Sequence, residues 1–355
     1  MNIFRMARSF VQPYQPSFLV MFVTSRCNAR CPFCFYAERT GSATGPEELT
    51  TEEFERISRK CGKIPYLLLS GGEPSLRDDL EVVTGFFVQN AGAQFVTIPS
   101  NGLLPERTVS IFDRLTSTFP GVHFRSAFSV DFPDRRHDEM RGVPGCLDSI
   151  VEATRGIREL KRTRPNLSLD VVTVYMKENE HIHPELREWV RESIRPDNHE
   201  LHLIREDWPD HIPAGLDLDC FLVQAEEYAS EGRMKETRNL SAFFRGLNDQ
   251  YIRSLGRLVR GERISKCFAG RKITVIDETG KVRLCEFRRE ILGDLRQDDY
   301  DLRRILRRSR GLFRKMNREK CTCTWECAVS TNIVCSVRFH PRLLLSAFKE
   351  LLRWR

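Results

Sequence analysis

The stretch Cys27-Asn28-Ala29-Arg30-Cys31-Pro32-Phe33-Cys34 constrains this chain more than any other part of it. Its three cysteines, at C-x3-C-x2-C spacing, follow the apolar run 18–24, which reads as a β-strand feeding a metal-binding loop. Thiolates are soft ligands suited to iron–sulfur clusters, zinc or copper(I). A four-iron cluster has four irons to ligate, and this loop offers three sulfurs, so one iron stays open for a substrate or cofactor. Zinc sites usually come as paired C-x2-C or Cys/His sets, and no second half of that kind lies near residue 34.

At 355 residues the chain is too long for one small core and fits a large α/β domain plus an appendage. Apolar content of 41% and charged content of 30% exclude a disordered chain. The twelve cysteines are not spread as a disulfide framework: three sit at 27–34, six at 267–335, and Cys61, Cys146 and Cys220 lie alone. Such clustering points to metal in a reducing compartment, so a cytoplasmic location is expected. Residues 1–16 read as a leader; the apolar run after Arg5 and Arg8 is too short, and lacks the cleavage site, for a signal peptide. No stretch approaches the length needed to span a bilayer. The net charge of +7 is modest but uneven, with Arg303, Arg304, Arg307, Arg308, Arg310, Arg314, Lys315, Arg318 and Lys320 in one segment. A solvated helix face is the preferred reading of that run, and a nucleic-acid or anionic-lipid contact the other.

From residue 17 onward short β-rich runs alternate with amphipathic stretches, the pattern of a parallel α/β sheet. Strands are expected at 18–24, 66–70, 95–99, 123–130, 168–176 and 199–204, and helices near 50–61, 78–90, 105–118, 146–163 and 183–194. Six strands with five intervening helices make a partial, open (β/α)6 TIM-like barrel. Sites in such folds form at the carboxyl ends of the strands, where the cysteine loop lies. The second strand runs into Gly71-Gly72-Glu73-Pro74, whose glycines let backbone approach a ligand closely. Ser129-Val130-Asp131 ends the fourth strand, and His137-Asp138-Glu139-Met140-Arg141-Gly142 follows. Asn179, after the fifth strand, is a further residue within reach of a cofactor, and His137 is given no catalytic role.

The loop at 27–34, with an aromatic before its third cysteine, resembles the cluster loop of the radical S-adenosylmethionine (SAM) superfamily. The resemblance implies that Cys27, Cys31 and Cys34 hold a [4Fe-4S] cluster with SAM on its open iron and Phe33 near the adenine. It implies further that Gly71, Gly72 and Glu73 lie in the segment holding the methionine amino group. By the same resemblance Ser129 gives a hydroxyl to the ribose, and Arg141 takes the carboxylate that a guanidinium can pair bidentately.

After residue 206 the pattern changes to a loop and then, over 207–259, a mostly helical linker. The metal signal returns at 260–335. Cys267 and Cys285 flank an expected hairpin, 272–276 and 281–284, which would bring them together. Cys321, Cys323, Cys327 and Cys335 follow. This small cysteine-rich α+β domain resembles the SPASM and twitch extensions that carry auxiliary four-iron clusters. The later cysteines read C-x-C-x3-C-x7-C, unlike the full SPASM pattern. The preferred reading is one twitch-like auxiliary cluster held by Cys267, Cys285 and two of the later four. Two clusters, or a zinc site from the later four, stay open. Residues 336–355 have the period of an amphipathic helix that docks on its own domain, with a peripheral membrane contact as the second reading.

The resemblance implies reductive cleavage of SAM to a 5′-deoxyadenosyl radical that abstracts hydrogen, with an electron donor such as flavodoxin or ferredoxin. Oxidative modification of a peptide or protein side chain is the leading expectation. A small-molecule dehydrogenase or biosynthetic enzyme is the alternative, and a non-catalytic iron–sulfur electron carrier the alternative of another class. RNA modification through the basic 303–320 segment is the remaining reading, and nucleic acid is not the expected partner.

Overall fold

A computed structural model describes residues 12–40, 47–205, 212–231 and 238–345. Its backbone is one nine-stranded open sheet. The first six strands, all parallel, are β1 (Phe18–Thr24), β2 (Tyr66–Gly71), β3 (Phe95–Ser100), β4 (His123–Ser129), β5 (Leu167–Tyr175) and β6 (Asn198–Leu203). Between them run α1 (Thr51–Lys60), α2 (Leu80–Phe86), α3 (Pro105–Thr118), α4 (Arg136–Arg141), α5 (Cys146–Leu160) and α6 (His183–Trp189). The partial (β/α)6 barrel expected from the sequence is therefore present. Helix α1 starts where Thr50 and Glu53 close a capping box, each side chain satisfying the other's backbone N–H.

Strand β1 is buried along nearly its whole length. It is parallel to β2 on one side and to β7 (Ile273–Ile276) on the other, with Phe18 opposite both Tyr66 and Ile273. A strand covered on both faces and paired on both edges reads as a continuous apolar run, as 18–24 does. The expected hairpin is β7 with β8 (Lys281–Arg283), and a third strand, β9 (Ile291–Asp294), extends it. The cysteine-rich part thus continues the barrel's sheet.

The 207–259 segment does more than link. Helices α7 (Leu218–Glu231) and α8 (Arg238–Leu258) bury Phe221, Tyr228, Tyr251 and Leu255 in a second core with Leu201 and Leu203 of β6. Helix α8 also sets Phe244 edge-on to Tyr66 and Phe95, which are stacked 4.7 Å apart on neighbouring strands. Helices α9 (Leu302–Arg308) and α10 (Arg310–Arg318) bury Ile305, Leu306, Phe313 and Met316. Their basic residues face outward in part as ion pairs, Arg308 with Asp298 and Lys315 with Glu319. Helix α11 (Glu326–Cys335) precedes Phe339 and Leu343, both buried in the second core. Residues 1–11 of the expected leader and 346–355 of the expected terminal helix lie outside the described residues. No helix among the described residues is long and apolar enough to cross a membrane.

Candidate functional site

The three cysteines of the 27–34 loop sit at the carboxyl end of β1, half-buried, with the thiol charges of Cys27 and Cys31 each acting on Cys34. Two side chains reach their sulfurs from neighbouring strand ends. Asn101 Nδ2, after β3, lies 3.9 Å from Cys27 Sγ, and Arg141 Nη1, at the end of α4, lies 3.7 Å from Cys31 Sγ. The Tyr36 backbone N–H donates to Cys34 Sγ at 3.4 Å. Burial raises the thiol pKa of Cys27 and of Cys34. Deprotonation is then left to metal binding, which releases the protons.

Gly71 at the end of β2 and Gly72 after it lie against the cysteine loop. The Gly72 N–H donates to Thr24 O and the Glu73 N–H to Arg26 O, each at 2.8 Å. A Cβ at Gly72 would stand 2.1 Å from Arg26 O, and one at Gly71, where φ is +114°, 2.5 Å from Thr24 O. The glycines therefore let β2 press against the base of the cysteine loop. Glu73 is buried and turned inward. Its oxygens accept from the hydroxyls of Ser75 and Ser100 (2.7 and 3.0 Å) and from the Asn101 N–H (2.8 Å). Burial raises its pKa while these donors pull it back down.

Arg141 is buried against Asp131, which is itself fully buried, and its guanidinium lies 5.3 Å from the centre of the Phe33 ring. Its Nε has no hydrogen-bond partner among the described residues. Ser129 is half-buried at the end of β4. His137 and Asn179 are fully buried and support this corner. The Asp131 N–H donates to His137 Nδ1, and Asn179 holds Met176 N, Val174 O and Asp131 O. With its amide spent on backbone, Asn179 does not reach out towards a cofactor.

In the second cysteine group the hairpin does bring Cys267 and Cys285 together. Cys285 feels the charges of Cys267 and Cys321, and Cys323 those of Cys267, Cys321 and Cys285. Burial pushes the Cys321 thiol up to about 12. Cys327 instead faces Glu286, Glu326 and Arg205, and Cys335 faces Lys272 and Arg271. Among the described residues no three His, Cys, Asp or Glu side chains converge tightly enough for a single metal ion. The two cysteine groups are tied together: the Tyr36 hydroxyl donates to Glu278 in the β7–β8 turn, and Glu278 O accepts from Leu49 N.

A third feature leaves no trace in the sequence. Arg205, just past β6, bridges Glu286 and Glu326, the neighbours of Cys285 and Cys327. These residues come from three distant segments, and no local pattern announces their meeting.

Residues 21–190 match the radical SAM superfamily. The AdoMet-dependent heme synthase of Methanosarcina barkeri is 31% identical over 41% of this chain and 40% of its own length. The pre-heme d1 synthase of Dinoroseobacter shibae is 26% identical over 64% of this chain and 54% of its own. The chain thus spans roughly half or less of the length of these curated relatives. Among solved structures, tagged anSMEcpe with bound AdoMet superposes with a TM-score of 0.60 at 18% identity, over 95% of this chain and 94% of that one. SuiB of Streptococcus suis, bound to its precursor peptide SuiA, gives 0.54 at 19% identity, over 77% and 60%. At such identities the likeness is one of fold. By sequence, residues 21–190 of this chain are a radical SAM domain, the family that works with a [4Fe-4S] cluster and SAM.

Proposed function

We propose that this protein is a radical SAM oxidoreductase that modifies a peptide or protein side chain. Cys27, Cys31 and Cys34 hold the [4Fe-4S] cluster, and Cys267, Cys285, Cys321 and Cys323 hold one auxiliary cluster. The single observation that carries the reading is the trio of half-buried cysteines at the carboxyl end of β1, with Asn101 on the sulfur of Cys27 and Arg141 on that of Cys31. When bound, the cluster and SAM supply a 5′-deoxyadenosyl radical for hydrogen abstraction, chemistry that belongs to the cofactors. The chain's own residues orient and shield. Asn101 and Arg141 place N–H groups on the sulfurs of Cys27 and Cys31, which favours the thiolates. Phe33, the Arg141 guanidinium 5.3 Å from its ring, with an Nε that has no partner among the described residues, and Ser129 at the end of β4 would contact the bound SAM. Glu73 acts through Ser100 and Asn101, fixing the loops around the cofactor rather than touching it.

Cys267, Cys285, Cys321 and Cys323 would hold the auxiliary cluster, which would supply an acceptor for the electron of a substrate radical, and the expected outcome is net loss of hydrogen or bond formation. Support for a peptide comes from SuiB, whose structure holds its precursor peptide. Heme-pathway names among the curated relatives support the small-molecule alternative. To decide, the anaerobically reconstituted protein is given SAM, reductant and deuterated candidate substrates. Deuterium in 5′-deoxyadenosine together with a peptide lighter by two hydrogens is the expected result. Deuterium transfer from a small molecule alone would overturn the peptide assignment.

A further inference from the structure

Between the two cysteine groups lies a buried charge cluster that the cofactor reading leaves without a task. The Arg205 guanidinium donates Nη1 to Glu286 Oε2 at 2.6 Å and Nη2 to Glu326 Oε2 at 2.5 Å. His202, on β6, sets Nδ1 3.7 Å from Glu326 and Nε2 3.3 Å from Glu200. Glu200 pairs at 2.8 Å with Arg125, which Asp170 also holds. Glu200 and Asp170 thus share Arg125, while two carboxylates, Glu286 and Glu326, share the Arg205 guanidinium, with Arg283 also acting on Glu286. Buried charge left without a partner is costly. The cluster therefore favours another cation.

Tyr251 of α8 carries the second observation. It is 7% exposed, and its hydroxyl has no hydrogen-bond partner among the described residues. That hydroxyl lies in the field of Glu326, Arg205, Glu200 and Cys327. A phenol so placed usually finds a partner, and none is present among the described residues. The rings of Phe35 and Phe287 stand 5.8 and 5.9 Å from the Arg205 guanidinium. Aromatic faces attract cations, and Phe35, 48% exposed, gives the cluster a rim open to solvent. Phe35 follows Cys34 and Glu286 follows Cys285, so a group held here lies between the two cysteine sets.

We propose that this cluster is the substrate-recognition site and that it takes a cationic group, a protonated amine or a guanidinium. Glu326 and Glu286 receive the N–H donors through their second oxygens, Tyr251 gives its hydroxyl, and Phe35 covers the stem. An anionic ligand would meet the Glu286 and Glu326 carboxylates and is rejected. The inference rests on the radical SAM reading only for what happens to the bound substrate, not for the binding itself.

The test uses the cluster-loaded protein and three probes: n-butylammonium, n-butylguanidinium and the neutral 1-pentanol. Binding is followed by ligand-observed NMR under anaerobic conditions. The two cations bind and pentanol does not; Glu326→Gln raises the dissociation constant about tenfold, the scale of one charge-assisted hydrogen bond. Tyr251→Phe weakens binding less, with the far-UV circular dichroism of the folded protein retained. Pentanol binding equal to that of the cations would overturn the proposal, as would cation binding untouched by both Glu326→Gln and Glu286→Gln, or no binding to folded protein. SAM cleavage by the same wild-type sample is scored separately. A sample that forms 5′-deoxyadenosine yet ignores the cations sinks this inference alone; one that binds the cations without cleaving SAM sinks the functional reading alone.

Discussion

At the scale of single residues, the cysteine loop is held by contacts that a small change breaks. Gly72→Ala would drive a methyl into Arg26 O, which is backbone and cannot swing away. Overpacking of this kind costs about 1–3 kcal/mol, and the strain falls on the loop bearing Cys27. The variant should therefore retain less iron after reconstitution, while Gly121→Ala, with nothing near its Cβ, should load as wild type. Equal iron in both would contradict the close approach of β2. Arg141 and Asp131 form a buried pair, and removing one partner leaves the other charge uncompensated. Asp131→Asn is expected to cost about 3–5 kcal/mol in denaturant unfolding, because Arg141 is 7% exposed. A loss below about 1 kcal/mol would mean that water reaches the pair.

At the scale of elements, β7 is the informative piece. The run 272–276 is legible as a hairpin strand from its apolar, β-branched make-up and the Glu278-Thr279-Gly280 turn, but its parallel pairing with β1 is not. Parallel partners can be separated by any length of chain, and here about 250 residues intervene, so no local signal fixes them. Val275→Pro would remove a ladder hydrogen bond from a buried strand flanked on both sides, at a cost of about 3 kcal/mol or more. The expected result is lower global stability together with loss of iron from both cysteine groups, since Tyr36 and Glu278 tie the first loop to this hairpin. Loss confined to the second group would show the hairpin to be an independent unit. The six barrel strands are legible to within a residue or two because each alternates or is wholly apolar. Helices α7 and α8 read as a linker because their apolar faces find their partners, β6 and α11, only in the folded chain. The Glu326–Arg205–Glu286 cluster is hidden for the same reason.

At the scale of the whole molecule, four histidines are held neutral within the barrel and its flank, His137 and His183 buried and His123 and His199 half-buried. Burial depresses His123, His137 and His183 to about 4 and His199 to about 3. In the unfolded chain each titrates near 6.5. Between these values the unfolded state binds more protons, so stability is fully present above about pH 6.5 and falls as pH drops towards 4. Asp170, raised to about 6 by burial, works in the opposite direction, as do Glu73 and Glu286, whose carboxyls burial also raises, and the four imidazoles outnumber them. The denaturation midpoint should thus be lower at pH 5 than at pH 7, and a midpoint that is constant or higher would contradict the burial of these imidazoles. The nine-stranded sheet joins both cysteine groups in one body, with the charged cluster between them. On the proposed function, the trio at 27, 31 and 34 leaves one iron open for SAM. The most direct measurement of that is 5′-deoxyadenosine formation from SAM by the anaerobically reconstituted, reduced protein beside Cys34→Ala. Nucleoside from the native protein and none from the variant is the predicted result. A native protein with a spectroscopically intact cluster that forms no nucleoside, with and without substrate, would contradict it.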